Sequence, residues 1–452
     1  MCSLLEPRIV AELDLAAHGY SAYRKEPASF TPLLDGRSLL LGSDEKENAR
    51  EIAAFDRRDV EGFSEFERIA SALGSAVADQ FDVDEPRFAA FDVRTRERLR
   101  GSAAELIEPL IRTPALAATL ATDGIIGTAA GPRDPGTGYV LAHHYAGRAF
   151  GVQGAWGFVR GGMGALSNAI ASAARAAGAT IRTNAPVEAI IVKNGRACGV
   201  ALANGDQIDA GVVLSGADPK TTFLRLTPSA LLDATFLERV RAWRSSGVSF
   251  KLNLALGELP NFTSRPGKGP LPHHRATVHV APSIDYLQAA FEDTRTGISR
   301  HPMLECFMQT PTDPDLAPPG KHILSIFAQY YPYDPADGPW TEAKRAAVVD
   351  SIVNTLAQYA PNLPNAIEAV QALGPRDLEA RIGLWGGHIF HGELLPGQIF
   401  EDRFAVRTPV PGLYLCGSGT HPGGCVSGIP GRRAARAVLE DMRTLAARAF
   451  QG

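Results

Sequence analysis

The chain has 452 residues with a formal net charge of −4, 45 glycines and 32 prolines, which suits two interleaved turn-rich domains and argues against a nucleic-acid-binding surface. No run approaches the roughly 18–20 apolar residues of a membrane span, so no integral membrane segment is expected, with peripheral membrane contact left open. Cys2, Cys198, Cys306, Cys416 and Cys425 are odd in number, scattered and without a Cys-x-x-Cys pair, and are expected as reduced thiols with no metal site.

Along the chain, residues 1–50 predict a helix and a hairpin in which Ser29–Leu34 and Ser38–Leu41 flank an Asp35-Gly36 turn. Charged amphipathic helices are expected from Ser43 or Asp44 to Asp79, and a further helical stretch from Glu97 to Leu120 is expected to break at Pro109 and Pro114. Glycines from Gly124 to Gly138 predict a loop-rich region up to Trp156. Arg160-Gly161-Gly162-Met163-Gly164 is expected to open a helix closed at Gly178, followed by a strand at Thr180–Thr183. Three meander strands, 187–192, 197–203 and 207–214, are predicted around Asn194-Gly195 and Asn204-Gly205. Residues 220–385 alternate helices (230–243, 342–359) with strands (249–256, 276–280, 322–329), suiting a mixed sheet covered by helices on one face.

The last forty residues carry the chemistry. Leu413-Tyr414-Leu415 has the continuous apolar character of a doubly buried strand, and it runs through Gly417, Gly419, Gly423, Gly424 and Gly428 into a helix from about Gly431. Glycines there expose backbone N–H groups, and a helix start favours an electron-rich ligand.

This run resembles the flavin-contacting signature of the phytoene desaturase-like flavoproteins, closest to the branch of pyridine nucleotide-disulfide oxidoreductase domain-containing protein 2 and its bacterial relatives. Trp156–Gly164, Val212–Pro219 and Gly386-Gly387-His388-Ile389-Phe390-His391-Gly392-Glu393 extend the likeness over nearly the whole chain. It implies an α/β fold, an FAD/NAD(P)-binding Rossmann-like domain (151–220 and 386–452) interleaved with a mixed-sheet α+β substrate domain (1–150 and 221–385). It implies FAD as cofactor, contacted by Gly161, Gly162, Val187, Gly417, Ser418, Gly419, Thr420, His421, Pro422, Gly423 and Gly424.

Three departures bear on this. The Gly-x-Gly-x-x-Gly turn of such a fold is absent, so the Rossmann-like domain is expected to lack its first βαβ unit and the natural protein to start upstream. Cys425 stands where glycine is usual and reads as a small residue filling a gap rather than a covalent flavin tether. The stretch 398–408 is shorter than in the relatives. His388, His391 and Glu393 are the candidates for substrate-side proton chemistry, with hydrogen bonding beneath the flavin as their other role.

The expected activity is hydride transfer between a small apolar substrate and flavin. A flavin-free binding or scaffold protein is the alternative, and carotenoid desaturation or isomerisation the alternative among enzymes. The expected location is the bacterial cytoplasm, or the mitochondrial matrix in a eukaryote.

Overall fold

In the computed structural model, which describes residues 2–449, a short helix α1 (Pro7–Glu12) precedes β1 (Ala22–Arg24) and the hairpin β2 (Ser29–Pro32) and β3 (Ser38–Leu41). Gly36 supplies the positive φ (86°) that the Asp-Gly turn requires. Helices α2 (Glu45–Ala53) and α3 (Asp59–Asp79) follow as the apolar spacing predicts, and Asp44 caps α2 by accepting from the Lys46 and Glu47 N–H groups. Next come α4 (Val93–Arg100), α5 (Ala103–Ile107) and α6 (Pro114–Ala121). Pro114 does not break a helix; it starts α6, where its missing N–H costs nothing.

The glycine-punctuated stretch is not all loop. It contains α7 (Thr137–His144), every residue of which is buried, so packing overrides weak local propensity. Then β4 (Gly157–Val159) pairs with β1, and α8 (Met163–Ala176) begins after Gly162, as expected. The predicted strand at 180–183 does not form. Those residues are exposed with no ladder partner, and a strand exists only through its ladder.

The meander forms from β5 (Val187–Lys193), β6 (Arg196–Leu202) and β7 (Gln207–Asp209). Its expected third strand is divided, because β8 (Val213–Ser215) turns away to pair in parallel with β14 (Leu413–Leu415). Between them lie α9 (Ala234–Ala242), β9 (Ser249–Leu256), β10 (Thr277–Val280), α10 (Ile284–Glu292), β11 (Met303–Phe307), β12 (His322–Gln329), α11 (Glu342–Ala357), α12 (Leu363–Ala366), β13 (Ile367–Leu373) and α13 (Pro375–Ile382). The sequence pattern did not predict α10, β11 or β13. The chain closes with α14 (Ile429–Ala449).

The fold is thus α/β around a seven-stranded mixed sheet in the order β13-β9-β12-β11-β10-β2-β3, with β10 and β2 parallel and the other neighbours antiparallel. One face packs Phe250, Leu252, Leu304 and Ile326 against Val348, Ile352 and Leu356 of α11. The opposite face looks into a cavity. The β8–β14 pair is a separate two-stranded parallel sheet, and Leu214 on β8 is exposed. No helix among the described residues is long and apolar enough to cross a membrane.

Candidate functional site

After β14 the chain crosses beside the end of β8, where the Cys416 N–H donates to the Ser215 carbonyl at 2.9 Å. The missing Cβ of Gly424 leaves room for the Phe390 ring, and that of Gly417 for the Gly216 carbonyl. At these positions the protein's own chain occupies the space. The Thr420 N–H returns to the Gly417 carbonyl (3.1 Å), and the Gly423 N–H to that of Thr420 (2.9 Å). His421 is buried and joined to Pro422 by a cis peptide bond. Its Nε2–H donates to the Gln80 carbonyl at 2.9 Å, which leaves Nδ1 as a lone-pair acceptor without a partner. Burial, reinforced by Arg433, pushes this imidazole down to about 3, so it is neutral near pH 7.

Cys425 and Val426 follow with positive φ values of 70° and 61°. The Cys425 Sγ lies 3.7 Å from His144 Nε2. His144 donates from Nδ1 to the Val140 carbonyl at 2.8 Å, so its Nε2 accepts from the thiol. Burial pushes Cys425 up to about 12 and His144 down to about 4. The pair is therefore a neutral thiol on a neutral imidazole, with no nucleophilic thiolate.

The second half of the site is 386–393. A Cβ on Gly387 (φ 64°) would run into the Pro375 carbonyl, which explains the glycine without reference to a ligand. His388 is fully buried, and its Nδ1 accepts from the Phe390 N–H at 3.2 Å, which places the ring proton on Nε2. That nitrogen lies 3.3 Å from Glu393 Oε1, outside hydrogen-bond geometry. The Glu393 Oε1 also accepts from the Ala129 N–H (3.3 Å), while its Oε2 has no partner. The His391 carbonyl accepts from Trp243 Nε1 at 2.9 Å, its ring Nδ1 is unpartnered, and burial pushes it down to about 4.

Arg403, unremarked in the sequence, joins the two halves. Its guanidinium is buried and donates to five backbone carbonyls: Phe390 (2.6 Å), Glu393 (3.0 Å), Gln398 (3.0 Å), Ser418 (2.7 Å) and Thr420 (3.2 Å). No carboxylate pairs with it among the described residues, so the fork acts as a five-way brace. Burial lowers it to about 10, which still leaves it charged at neutral pH.

A cavity of about 950 Å³ opens beside the loop. Ile389, Phe390, Cys425 and Val426 form one wall, with Trp156 stacked on His144 (centroids 5.9 Å apart) next to them. The opposite wall is the open face of the large sheet. Strand register sets His279 opposite Glu305, Glu305 opposite Phe327 and Phe327 opposite Lys251, so one row across four strands points into the cavity. Lys25 and Asp123 complete the lining near this row, and Lys25 donates to Thr277 Oγ1. Burial pushes Asp123 up to about 6 and His279 and Lys251 down to about 3 and 8. It also raises Glu305 and lowers Lys25.

The structure therefore gathers 417–424 and 388–393 into one braced unit. His388, His391 and Glu393 are not part of the cavity lining, although Ile389 and Phe390 between them are. Gly161 and Gly162 stand at the start of α8, where the Gly161 N–H donates to Asp313 at 2.7 Å. Val187 opens β5 and is exposed. Arg403, α7 and the Lys25–Asp123–Lys251–Glu305 set are absent from the sequence-based candidates. The one available signal was an ionisable residue inside an otherwise apolar strand, as at Lys251 and Glu305.

The sequence model of the family described as "Flavin containing amine oxidoreductase" matches residues 20–439. "Pyridine nucleotide-disulfide oxidoreductase domain-containing protein 2" of Rattus norvegicus is 38% identical over 494 aligned residues, covering 98% of this chain and 85% of the relative. "Phytoene desaturase (lycopene-forming)" of Pseudescherichia vulneris is 26% identical, covering 90% of this chain and 81% of the relative. Among solved structures, wild-type putrescine oxidase bound to putrescine superposes with a TM-score of 0.60 at 16% identity, covering 97% of this chain and 87% of that one. That likeness concerns the fold alone.

Proposed function

Because this chain belongs to the flavin-containing amine oxidoreductase family, we propose that it is a hydride-transferring enzyme whose largely apolar substrate lies in the 950 Å³ cavity. It is an FAD-dependent oxidoreductase. The observation that carries the proposal is the cavity's two-sided construction. One wall belongs to the glycine-rich loop, the other to the large sheet, and a substrate between them would meet both.

The residues present fit the cofactor. His143 Nε2, His388 Nε2, His391 Nδ1, Glu393 Oε2 and His421 Nδ1 are buried polar atoms without partners, clustered around the loop and the 388–393 segment. Buried polar groups are rarely left so unless a bound group satisfies them. The 417–424 backbone and the first turn of α14 would hold FAD, the helix start favouring negative charge on it. Bound FAD supplies the acceptor for the electron pair and so the difficult step.

The protein's own contribution is placement and exclusion of water. Ile389, Phe390 and Trp156 shape the cavity wall, and Arg403 fixes the loop behind it. His388 and Glu393 do not line the cavity and would meet the cofactor rather than the substrate. Neither His144 nor Cys425 offers a strong base to the cavity, which suits hydride removal from carbon without deprotonation by either side chain. A wholly hydrocarbon substrate such as a carotenoid is disfavoured, because it would bury Lys25, Asp123, Lys251 and Glu305 against groups that cannot hydrogen-bond.

The test is the visible spectrum of the purified, folded protein with and without added FAD. Flavin absorbance that bleaches when substrate is added anaerobically supports the proposal. A folded protein that takes up no flavin sinks it, and the binding or scaffold role then stands.

A further inference from the structure

The ionisable groups of the cavity are unequally paired. Lys25 donates to Thr277 and lies in the field of both Glu305 and Asp123. Glu305 sits 3.7 Å from His279 Nδ1 and is already shared with Lys25. Lys251 is on the same row of the sheet, yet its ammonium has no hydrogen bond and no ion pair among the described residues. It faces the Phe307 ring at 5.6 Å, and Glu305 is the one carboxyl acting on it. An ammonium carries three donors and no acceptor, and this one reaches the cavity without a protein acceptor for any of them among the described residues.

Building on the reading of this cavity as the substrate site, we propose that Lys251 receives a carboxylate carried by an otherwise apolar substrate. The substrate class is thus an amphipathic acid, its apolar body against Ile52, Phe63, Leu120 and Ile389 and its anionic end at the sheet. A carboxylate there would replace the water that Lys251 loses on burial with a charge-assisted hydrogen bond. An amine at the same place would meet Lys251 as a like charge.

The pH dependence follows from the titratable groups around Lys251; Arg24, Glu45, Tyr145 and Cys425 also line the cavity. Glu305 and His279 are on neighbouring strands. Lys25, Asp123 and Glu67 line the cavity beyond the row, His144 closes α7, and Cys306 lies on the opposite face of the sheet. Burial keeps His279 and His144 neutral, at about 3 and 4. Asp123 gains negative charge through about pH 6, and Lys251 loses its proton through about 8. Both changes weaken binding of an anion as pH rises, so affinity should decline from pH 6 to 9.

The experiment is calorimetry on the full chain with FAD present, using octanoate, octanol and octylamine as probes of matched length. Octanoate should bind about tenfold or more tightly than octanol. Lys251→Met should erase that preference, and Lys251→Arg should restore most of it. Octanol binding as tightly as octanoate, octylamine binding best, or an unchanged preference in Lys251→Met would each overturn the proposal. If Lys251→Met does not fold, the three-probe comparison and its pH profile on the unmodified protein decide. Flavin absorbance is read in the same samples: a flavin-free protein that still prefers octanoate would refute the redox reading and leave the anion site standing.

Discussion

Replacing Arg403 with leucine removes the guanidinium and leaves a side chain that fills part of its volume. Five carbonyls, the buried ones of Phe390, Glu393, Gln398 and Thr420 and the part-buried one of Ser418, then lose a donor. The Thr420 carbonyl keeps the Gly423 N–H, so four acceptors are left unsatisfied; at about 1–3 kcal/mol each, simple addition would give about 4–12 kcal/mol. That sum is too large, because the five carbonyls share one donor fork, water can enter, and the variant is relieved of a buried charge. The burial that holds Arg403 down to about 10 is a real cost in the folded protein. A net loss of about 3–5 kcal/mol is expected, in the range found when one partner of a buried charged contact is deleted. Lysine keeps the charge but has three donors and no planar fork, so at least one carbonyl stays unmet and about 1–3 kcal/mol should be lost. Urea titration followed by tryptophan fluorescence measures both variants, with Trp243 near the guanidinium as reporter. Because the brace joins the loop to the 390–398 segment, FAD affinity should fall in the same order. An Arg403→Leu protein within about 1 kcal/mol of the unmodified chain would refute the idea that this side chain holds the two halves together.

Acid should destabilise the protein early. His421 is held neutral down to about 3 when folded, whereas an unfolded histidine takes up its proton near about 6.5. Stability is therefore fully present above that value and declines as pH falls from about 6.5 towards 3. His421→Asn should flatten the slope of unfolding free energy against pH over that window, and an unchanged slope would count against a neutral buried ring. Gly387→Ala combines a positive φ with an overlap on the Pro375 carbonyl, and a loss of about 3 kcal/mol or more is expected in the same titration. Cys425 is a protonated thiol, so acid precipitation of the holoprotein should leave all flavin in the supernatant; flavin that stays with the pellet would contradict it. Cys425→Ala should keep flavin binding and cost about 1–2 kcal/mol or less, measured by thermal unfolding.

What could be read from the sequence divides by how far apart the determinants lie. The strand–loop–helix at 413–449 is written locally: an apolar triplet, glycines at the turns and a helical run, each with requirements met by its own neighbours. The hairpin at Asp35-Gly36 and the first two strands of the 187–209 meander are legible for the same reason. The strand expected at 180–183 has the right residues and no partner, which shows the limit of local pattern. For β8, local continuity with β7 suggested one strand, but pairing with residues two hundred positions later decided the matter.

The site divides in the same way. Arg403 was invisible because its partners are backbone carbonyls, which every residue offers, so no side-chain pattern announces the contact. The row His279–Glu305–Phe327–Lys251 was invisible because it exists only once four strands are in register. A one-residue slip of β11 against its neighbours would carry Glu305 to the α11 face and bring Cys306 to the cavity. That alternative is excluded by packing, since Cys306 and Leu304 complete the apolar layer with Ile326 and Leu252, where a carboxylate would have no partner. The hydrophobic layer on one side of the sheet thus fixes which polar groups appear on the other. The same packing that stabilises this domain therefore determines what the cavity can recognise, and the glycine-rich loop, on the opposite wall, determines what can be done there.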